Sequence, residues 1–343
     1  MSASQRMAVL GAGAWGTALA VHLARIGHPT RLWARSPRLA SDLERCRENT
    51  AYLPGVELPE GLQPTHDLAL AARCPLVLIV VPSHGFRRVL EQYLSALRPG
   101  SEPVLVSATK GIERESLLRM SEVCAQEAAA AAVSVQFAVL SGPSFAEELA
   151  QGFPTASVIA ADESSLADEL QESLSGANLR LYSSADVVGV ELGGTVKNII
   201  AIASGVVGGL GLGSNTRAAL ITRGLHEMTR LGVACGGEAS TFSGLAGLGD
   251  LVLTCTSSQS RNYKLGASLA SGATLADFEK GRSVAEGARN SRSILGLARR
   301  MDVEMPITEQ MVSVLHEGKP AREALEQLMS RALKSEAGEI RTR

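Results

Sequence analysis

Cysteine is scarce, and its placement is uninformative in a useful way. The five cysteines, at 46, 74, 124, 235 and 255, are odd in number and widely spaced, and no Cys-x-x-Cys occurs. That pattern argues against a disulfide framework or a cysteine zinc site and fits free thiols in a reducing cytoplasm. The six histidines are scattered too, with no His/Asp/Glu cluster at metal-ligand spacing, so no metal is expected. Neither sign of charge is in excess: 33 Lys+Arg face 35 Asp+Glu, a formal net charge of −2. A nucleic-acid or anionic-membrane partner needs a basic surplus, so any affinity for anions has to come from a local site. Long hydrophobic runs are rare. "MAVLGAGAWGTALAVHLA" imitates a signal peptide or a membrane span. Against that, only Arg6 gives it a basic flank, spaced glycines break it, and a polar helix end follows at Arg25-Ile26-Gly27-His28. No other stretch is expected to cross a bilayer, and no membrane insertion is expected.

What is present is enough for two domains. The chain has 343 residues, of which 45% are hydrophobic and 20% charged, near the soluble globular average. Its first half alternates strand and helix patterns. "MAVLGAG" reads as a strand and "AWGTALAVHLARIG" as a helix; "TRLWA" is a second strand, and "SPRLASDLERCREN" a helix with Ser36 as N-cap and Pro37 in its first position. The Pro/Gly-rich stretch from Pro54 to Pro64 reads as a loop. "LVLIVVP", "VLVSATKG", "FAVLSGP", "TASVIAAD" and "LRLYSS" are further strands, with helices expected near 84–97, 114–132, 144–151 and 164–175. "LVLIVVP" lacks polar alternation, as a strand buried on both faces must. After about residue 185 the strand signals stop and helical periods continue over 188–206, 216–231, 262–271, 286–300, 308–316 and 321–332. The fold class expected is α/β: a Rossmann-type doubly wound sheet over residues 1–184, then an all-α domain over 185–343.

Gly11, Gly13 and Gly16 form G-x-G-x-x-G where the first strand meets the first helix. Gly11 permits the tight turn, Gly13 the approach of a pyrophosphate, and Gly16 close packing of helix on strand; the helix N-terminus then faces the phosphates. An NAD site usually carries Asp or Glu about 20 residues on. Here Arg35 holds that position, with Ser36 beside it and Arg38 close by. A cation there attracts a 2′-phosphate, so NADP(H) is the expected cofactor, with NAD(H) tolerated; a solvated surface arginine is the alternative. "VSATKG" ends a strand with Lys110, and "LSGPSFA" puts Gly142, Ser144 and Ala146 at a turn into a helix, where open α/β sheets bind ligands.

The helical half holds two lone charges. Lys197 is the only basic residue in "GVELGGTVKNIIAIASG", and Asp250 the only carboxylate in "GLAGLGDLVLTCTSSQSRN". An unpaired buried ammonium costs several kcal/mol even after relaxation. The two are therefore either a structural buried ion pair or a proton-transfer site. Burial lowers a lysine pKa from about 10.4 toward the range of about 7–8 that suits acid–base work, and a nicotinamide site needs such a group. Downstream, Thr254 and then Ser260-Arg261-Asn262 at a helix start offer hydroxyls, a guanidinium and N–H groups to a phosphate; an ordinary N-cap with a surface arginine is the plainer reading.

"GAGAWGTALA", "VPSH", "ATKG", "SGPSFAEELA", "GGTVKNIIAIASG", "AALITRGLHEM", "GLGDLVLTCTSSQSRN", "AEGARN" and "EMPI" occur in this order. They resemble the bacterial NAD(P)-dependent glycerol-3-phosphate dehydrogenases from about Met7 to Leu333. The resemblance implies reversible reduction of dihydroxyacetone phosphate to sn-glycerol 3-phosphate, the phospholipid backbone precursor. It implies Lys197 as proton acceptor in alcohol oxidation, with Asn198, Asp250 and Thr254 around it. Substrate contacts at Lys110, Gly142, Ser144, Ser260, Arg261 and Asn262 follow in the same way, as do cofactor contacts at Ala14, Trp15, Arg35, Lys110, Ala146, Arg261, Val284 and Glu286. The expected partner is this small-molecule substrate, with no nucleic acid, and glycine-rich apolar helices suggest a homodimer. The alternatives are another two-domain NADP-dependent hydroxy-acid or sugar-phosphate dehydrogenase, or a non-catalytic NADP(H) sensor.

Overall fold

A computed structural model describes residues 4–280 and 285–333. The chain divides into two compact units: one takes everything up to Lys110 together with Leu118–Val187, the other takes Gly111–Leu117 together with the chain from Val188 onward.

The first unit contains strands β1 (Met7–Leu10), β2 (Thr30–Trp33), β3 (Glu48–Asn49), β4 (Leu53–Glu57), β5 (Leu62–Thr65), β6 (Leu76–Ile79), β7 (Val104–Ser107), β8 (Gln136–Ser141), β9 (Thr155–Ala160) and β10 (Leu179–Ser184). Eight of them form one sheet in the order β10-β9-β8-β7-β6-β1-β2-β5, and β3 and β4 make a separate antiparallel hairpin. Neighbours from β5 to β8 are parallel; β9 runs antiparallel to β8, and β10 follows β9. The six parallel strands have the 3-2-1-4-5-6 order of doubly wound dinucleotide sheets, which reverses at β1.

Strand chemistry explains the double burial. Successive side chains of a strand face opposite sides. Met7 and Val9 of β1 and Leu76 and Leu78 of β6 join one core, while Ala8, Leu10, Val77 and Ile79 join the core on the other face. Helices Ala14–Arg25, Pro37–Cys46, Ser83–Ser95, Met120–Ala130 and Ser164–Leu174 are the longer helices of this unit. Ser36 caps the second of these, its Oγ accepting from the Leu39 N–H at 3.3 Å.

Two expectations need correction. The stretch from Pro54 to Pro64 is not a loop: it contains most of β4 and, from Leu62, the start of β5, which is the third strand of the parallel order. "LQPT" carries no apolar run, and Pro64 is tolerated because an edge strand bonds on one side only. The helix expected at 114–132 begins only at Met120, and Gly111–Leu117 packs in the second unit, where Ile112 is in the core and the Ser116 carbonyl accepts from Arg300 at 3.1 Å.

The second unit is helical among its described residues. Its core surrounds helix Val187–Gly209, from which Leu192, Val196, Ile199, Ile200 and Ile202 are fully buried. By length and hydropathy this helix could cross a bilayer, which the sequence had not suggested. Its place is inside the unit, where 94% of its apolar window is buried. Around it lie Ser214–Ala234, Arg261–Ala270, Glu286–Arg300, Pro306–His316 and Ala321–Met329. Three further elements had no legible period: Ala239–Ser243, a π-helical turn at Leu245–Gly249, and Asp250–Thr256. Glycines at 244, 247 and 249 interrupt the apolar spacing there.

Candidate functional site

The described positions singled out in the sequence fall into two groups, one in each unit. In the first, the glycine turn connects β1 to helix Ala14–Arg25. Gly11 has φ +124°, and a β-carbon there would overlap the Val80 carbonyl oxygen; one at Gly16 would overlap the carbonyl of Gly11. Both glycines are therefore required by the fold itself. Gly13 is different: a β-carbon there would meet nothing within 4 Å. Its missing side chain leaves open space at the N-terminus of a twelve-residue helix that has no side-chain cap. That is the cradle a pyrophosphate needs, with N–H groups and the positive dipole end facing it. The donor chemistry fits a dinucleotide.

Ala14 and Trp15 open this helix, and Trp15 packs against the sheet core together with Ala146. Ala146 starts the short helix Ala146–Ala150, whose last carbonyl accepts from Arg25 at 2.6 Å. Arg35 lies just beyond β2 and is exposed. Its neighbours are committed elsewhere, Ser36 to its cap and Arg38 to Asp42 at 3.9 Å. At the ends of β7 and β8, Lys110 Nζ donates to the Gly142 carbonyl at 3.1 Å, and Ser144 Oγ donates to the same oxygen at 2.9 Å. Gly142 has φ +140°, a conformation that a side chain would strain. Lys110, Gly142 and Ser144 thus form one hydrogen-bonded group.

The second group centres on Lys197. It lies on helix Val187–Gly209 with its side chain 8% exposed, and Nζ donates to Asp250 Oδ1 at 2.6 Å and to Thr254 Oγ1 at 2.7 Å. The Thr254 hydroxyl donates in turn to the Asp250 carbonyl at 2.7 Å, which leaves its lone pair to the ammonium. Asp250, 1% exposed, opens helix Asp250–Thr256, where a helix dipole favours a carboxylate. The π-helical turn before it presses on the lysine helix: a β-carbon at Gly193 would stand 2.6 Å from the Ala246 carbonyl oxygen. π-Turns of this kind are common at functional sites. Burial pushes the thiol of Cys255, beside the pair, up to about 12, which disfavours the thiolate that a cysteine nucleophile needs.

Asn198, next to the lysine, accepts from Asn262 Nδ2 at 2.8 Å, and Asn262 Oδ1 accepts from the Gly287 N–H at 3.0 Å. The start of helix Arg261–Ala270 is thereby tied to the lysine helix and to the residue after Glu286. Ser260 caps that helix, accepting from the Tyr263 N–H at 3.2 Å, and Arg261 is exposed on its first turn. Val284 lies outside the described residues. Among those residues no group of three or more His, Cys, Asp or Glu is placed to hold a metal. Gly193 and Gly287 lie inside the motifs "GGTVKNIIAIASG" and "AEGARN", but their packing role was not legible there, because the backbone they approach, at Ala246 and Asn198, is far along the chain.

Comparison with known proteins places the chain. The N-terminal model of NAD-dependent glycerol-3-phosphate dehydrogenase matches residues 6–167, and the C-terminal model matches 186–326. The glycerol-3-phosphate dehydrogenase [NAD(P)+] of Geobacter sp. (strain M21) is 52% identical over 335 residues, covering 97% of this chain and 99% of the relative. That of Citrobacter koseri is 49% identical, covering 96% and 97%. The crystal structure of glycerol-3-phosphate dehydrogenase from Coxiella burnetii has 41% identity and a TM-score of 0.90, covering 96% of this chain and 99% of that one. This chain belongs to the NAD-dependent glycerol-3-phosphate dehydrogenase family.

Proposed function

We propose that this protein catalyses the reversible, NAD(P)H-dependent reduction of dihydroxyacetone phosphate to sn-glycerol 3-phosphate, with Lys197 as its acid–base group. Family membership supports the activity. The observation that carries the role of Lys197 is its burial beside the Asp250 carboxylate and the Thr254 hydroxyl, 2.6 and 2.7 Å away. When bound, the nicotinamide supplies hydride to the carbonyl carbon. Negative charge then builds on the carbonyl oxygen, and a nearby ammonium both stabilises it and donates the proton that completes the alcohol. In the oxidation direction the neutral amine takes that proton back. Asp250 holds the charge of the ammonium, and Thr254 fixes its direction.

Ser260, Arg261 and Asn262 are assigned to the substrate phosphate, with Lys110, Gly142 and Ser144 as further substrate contacts. Gly11, Gly13, Ala14, Trp15, Gly16, Arg35, Ala146, Val284 and Glu286 are assigned to the cofactor, with Lys110 and Arg261 serving both. The first unit is read as the dinucleotide-binding domain and the second as the substrate domain. The exposed Arg35 favours NADPH over NADH. The enzyme is read as a cytoplasmic homodimer that supplies the glycerophospholipid backbone.

A steady-state assay tests this. Wild-type protein is expected to consume NADPH on addition of dihydroxyacetone phosphate. Lys197→Ala is expected to keep NADPH binding while losing most turnover. Cofactor binding with no turnover by the wild type, or full turnover by the variant, would overturn the proposal.

A further inference from the structure

Asn49 lies in the β3–β4 hairpin and is 1% exposed. Its Nδ2 donates to the Ala12 carbonyl at 3.0 Å and to Thr17 Oγ1 at 2.7 Å. Ala12 is the residue between the first two glycines of the fingerprint, and Thr17 sits in the first turn of the helix that follows. The Oδ1 of Asn49 is buried with no partner among the described residues. A buried acceptor left unsatisfied is costly, so the donor end of this side chain is what accounts for an asparagine here.

The hairpin that delivers Asn49 is held firmly. Arg47, at φ 53°, donates from its guanidinium to the carbonyls of Leu58, Pro59 and Leu62 at 3.0, 2.5 and 3.1 Å. Glu48 Oε1 accepts from the Gly55 N–H at 2.8 Å, and the Asn49 carbonyl accepts from the Tyr52 N–H at 3.2 Å. These bonds fix the backbone that carries Asn49, and the carboxamide itself is held at the glycine turn by its two bonds to Ala12 and Thr17.

We propose that Asn49 is a positioning residue for the dinucleotide: by holding the Ala12 carbonyl it aims the Gly13 N–H at the pyrophosphate. This rests on the dinucleotide-binding reading of the first unit. In a trans peptide, the C=O of one residue and the N–H of the next point in opposite directions. The Ala12–Gly13 peptide is trans, so a carbonyl pinned toward Asn49 turns the Gly13 N–H away from it. Gly13 has the open surroundings a phosphate requires. The second bond, to Thr17, couples this peptide to the helix turn, whose Thr17 N–H donates to the Gly13 carbonyl at 2.9 Å. Released from Asn49, the Ala12–Gly13 peptide is free to rotate, and the donor is no longer set in advance of binding.

The experiment measures NADPH and NADH binding calorimetrically, without substrate, for wild type, Asn49→Leu and Asn49→Ala. NMR spectra of the same proteins labelled with ¹⁵N-glycine report the Gly13 amide. Both dinucleotides carry the pyrophosphate, so both Kd values are expected to rise by a similar factor of about ten or more. The Gly13 amide proton is expected to shift downfield with NADPH in the wild type and not in the variants. Variants that melt lower but bind both dinucleotides as the wild type does would overturn the proposal and leave Asn49 a packing residue. Wild-type protein that binds neither dinucleotide would overturn the reading of the unit itself. Should neither variant fold, the wild-type spectrum decides: a Gly13 amide that ignores NADPH overturns the proposal, and one that shifts downfield supports it.

Discussion

Gly193 and Ala246 touch through their backbones: a β-carbon on the first would lie 2.6 Å from the carbonyl oxygen of the second. Gly193 lies one helical turn before Lys197 and Ala246 four positions before Asp250, so this contact sits close to both charges. Gly193→Ala would have to push the helix off the π-turn. Overpacking of this kind costs about 1–3 kcal/mol. The variant is expected to unfold at lower urea concentration and to lose turnover more than NADPH affinity, which denaturation curves and calorimetry check together.

The Lys197–Asp250 pair is buried on both sides, at 8% and 1% side-chain exposure. Removing one member of such a pair strands the other charge and costs about 3–5 kcal/mol, whereas replacing both by apolar groups is often neutral. Lys197→Met is therefore expected to be strongly destabilised, and Lys197→Met/Asp250→Leu to recover most of that stability with no activity. Urea unfolding of the single and double variants measures the coupling. A double variant as unstable as the single one would mean that the stability resides in other contacts of these residues.

Arg35 is expected to discriminate between the two nicotinamide cofactors. Its side chain is exposed at the end of β2, so its loss should leave the fold intact. Arg35→Ala should raise the KM for NADPH about tenfold and leave that for NADH nearly unchanged, as the loss of a charge-assisted contact to a 2′-phosphate would. Steady-state rates with each cofactor give the ratio.

Glu227 provides a pH signature in the second unit. Its carboxylate is 2% exposed and accepts from the Ile307 N–H at 2.6 Å and from the Thr308 N–H and hydroxyl at 3.2 and 3.3 Å. Burial raises its pKa from 4.5 to about 7, against the pull of those hydrogen bonds and of Arg230. Between these values the folded protein holds a proton that the unfolded chain has lost, so unfolding becomes easier as pH rises. The contribution is complete below about 4.5 and is lost as pH climbs through about 7. Glu227→Gln should flatten this part of the melting-temperature profile, and its advantage over wild type should grow between pH 5 and 8. Parallel profiles for the two proteins would rule the effect out.

Much of the parallel sheet was legible because a doubly covered strand must be apolar throughout, as "LVLIVV" is, and because the glycine triplet marks one strand–helix junction. β5 was not legible: "LQPT" is short, polar and contains proline, and only its pairing with β2 makes it a strand. Asp250 stood out as a lone carboxylate, but its helix did not, since glycines at 244, 247 and 249 break the period that would announce it.

Local chemistry thus determined which residues are charged against their surroundings, where the glycine turn between first strand and first helix lies, and where strands give way to helices. Those are properties of neighbours within a few positions, and they can be read from one chain. Tertiary structure decided that the pairing of Lys197 with Asp250, 53 positions away and only an expectation in the sequence, is direct; it alone decided that Asn262 reaches Asn198 across 64 and that Asn49 crosses 37 to hold the glycine turn. Hydrogen bonds act over about 3 Å of space regardless of sequence separation, so no local period records them.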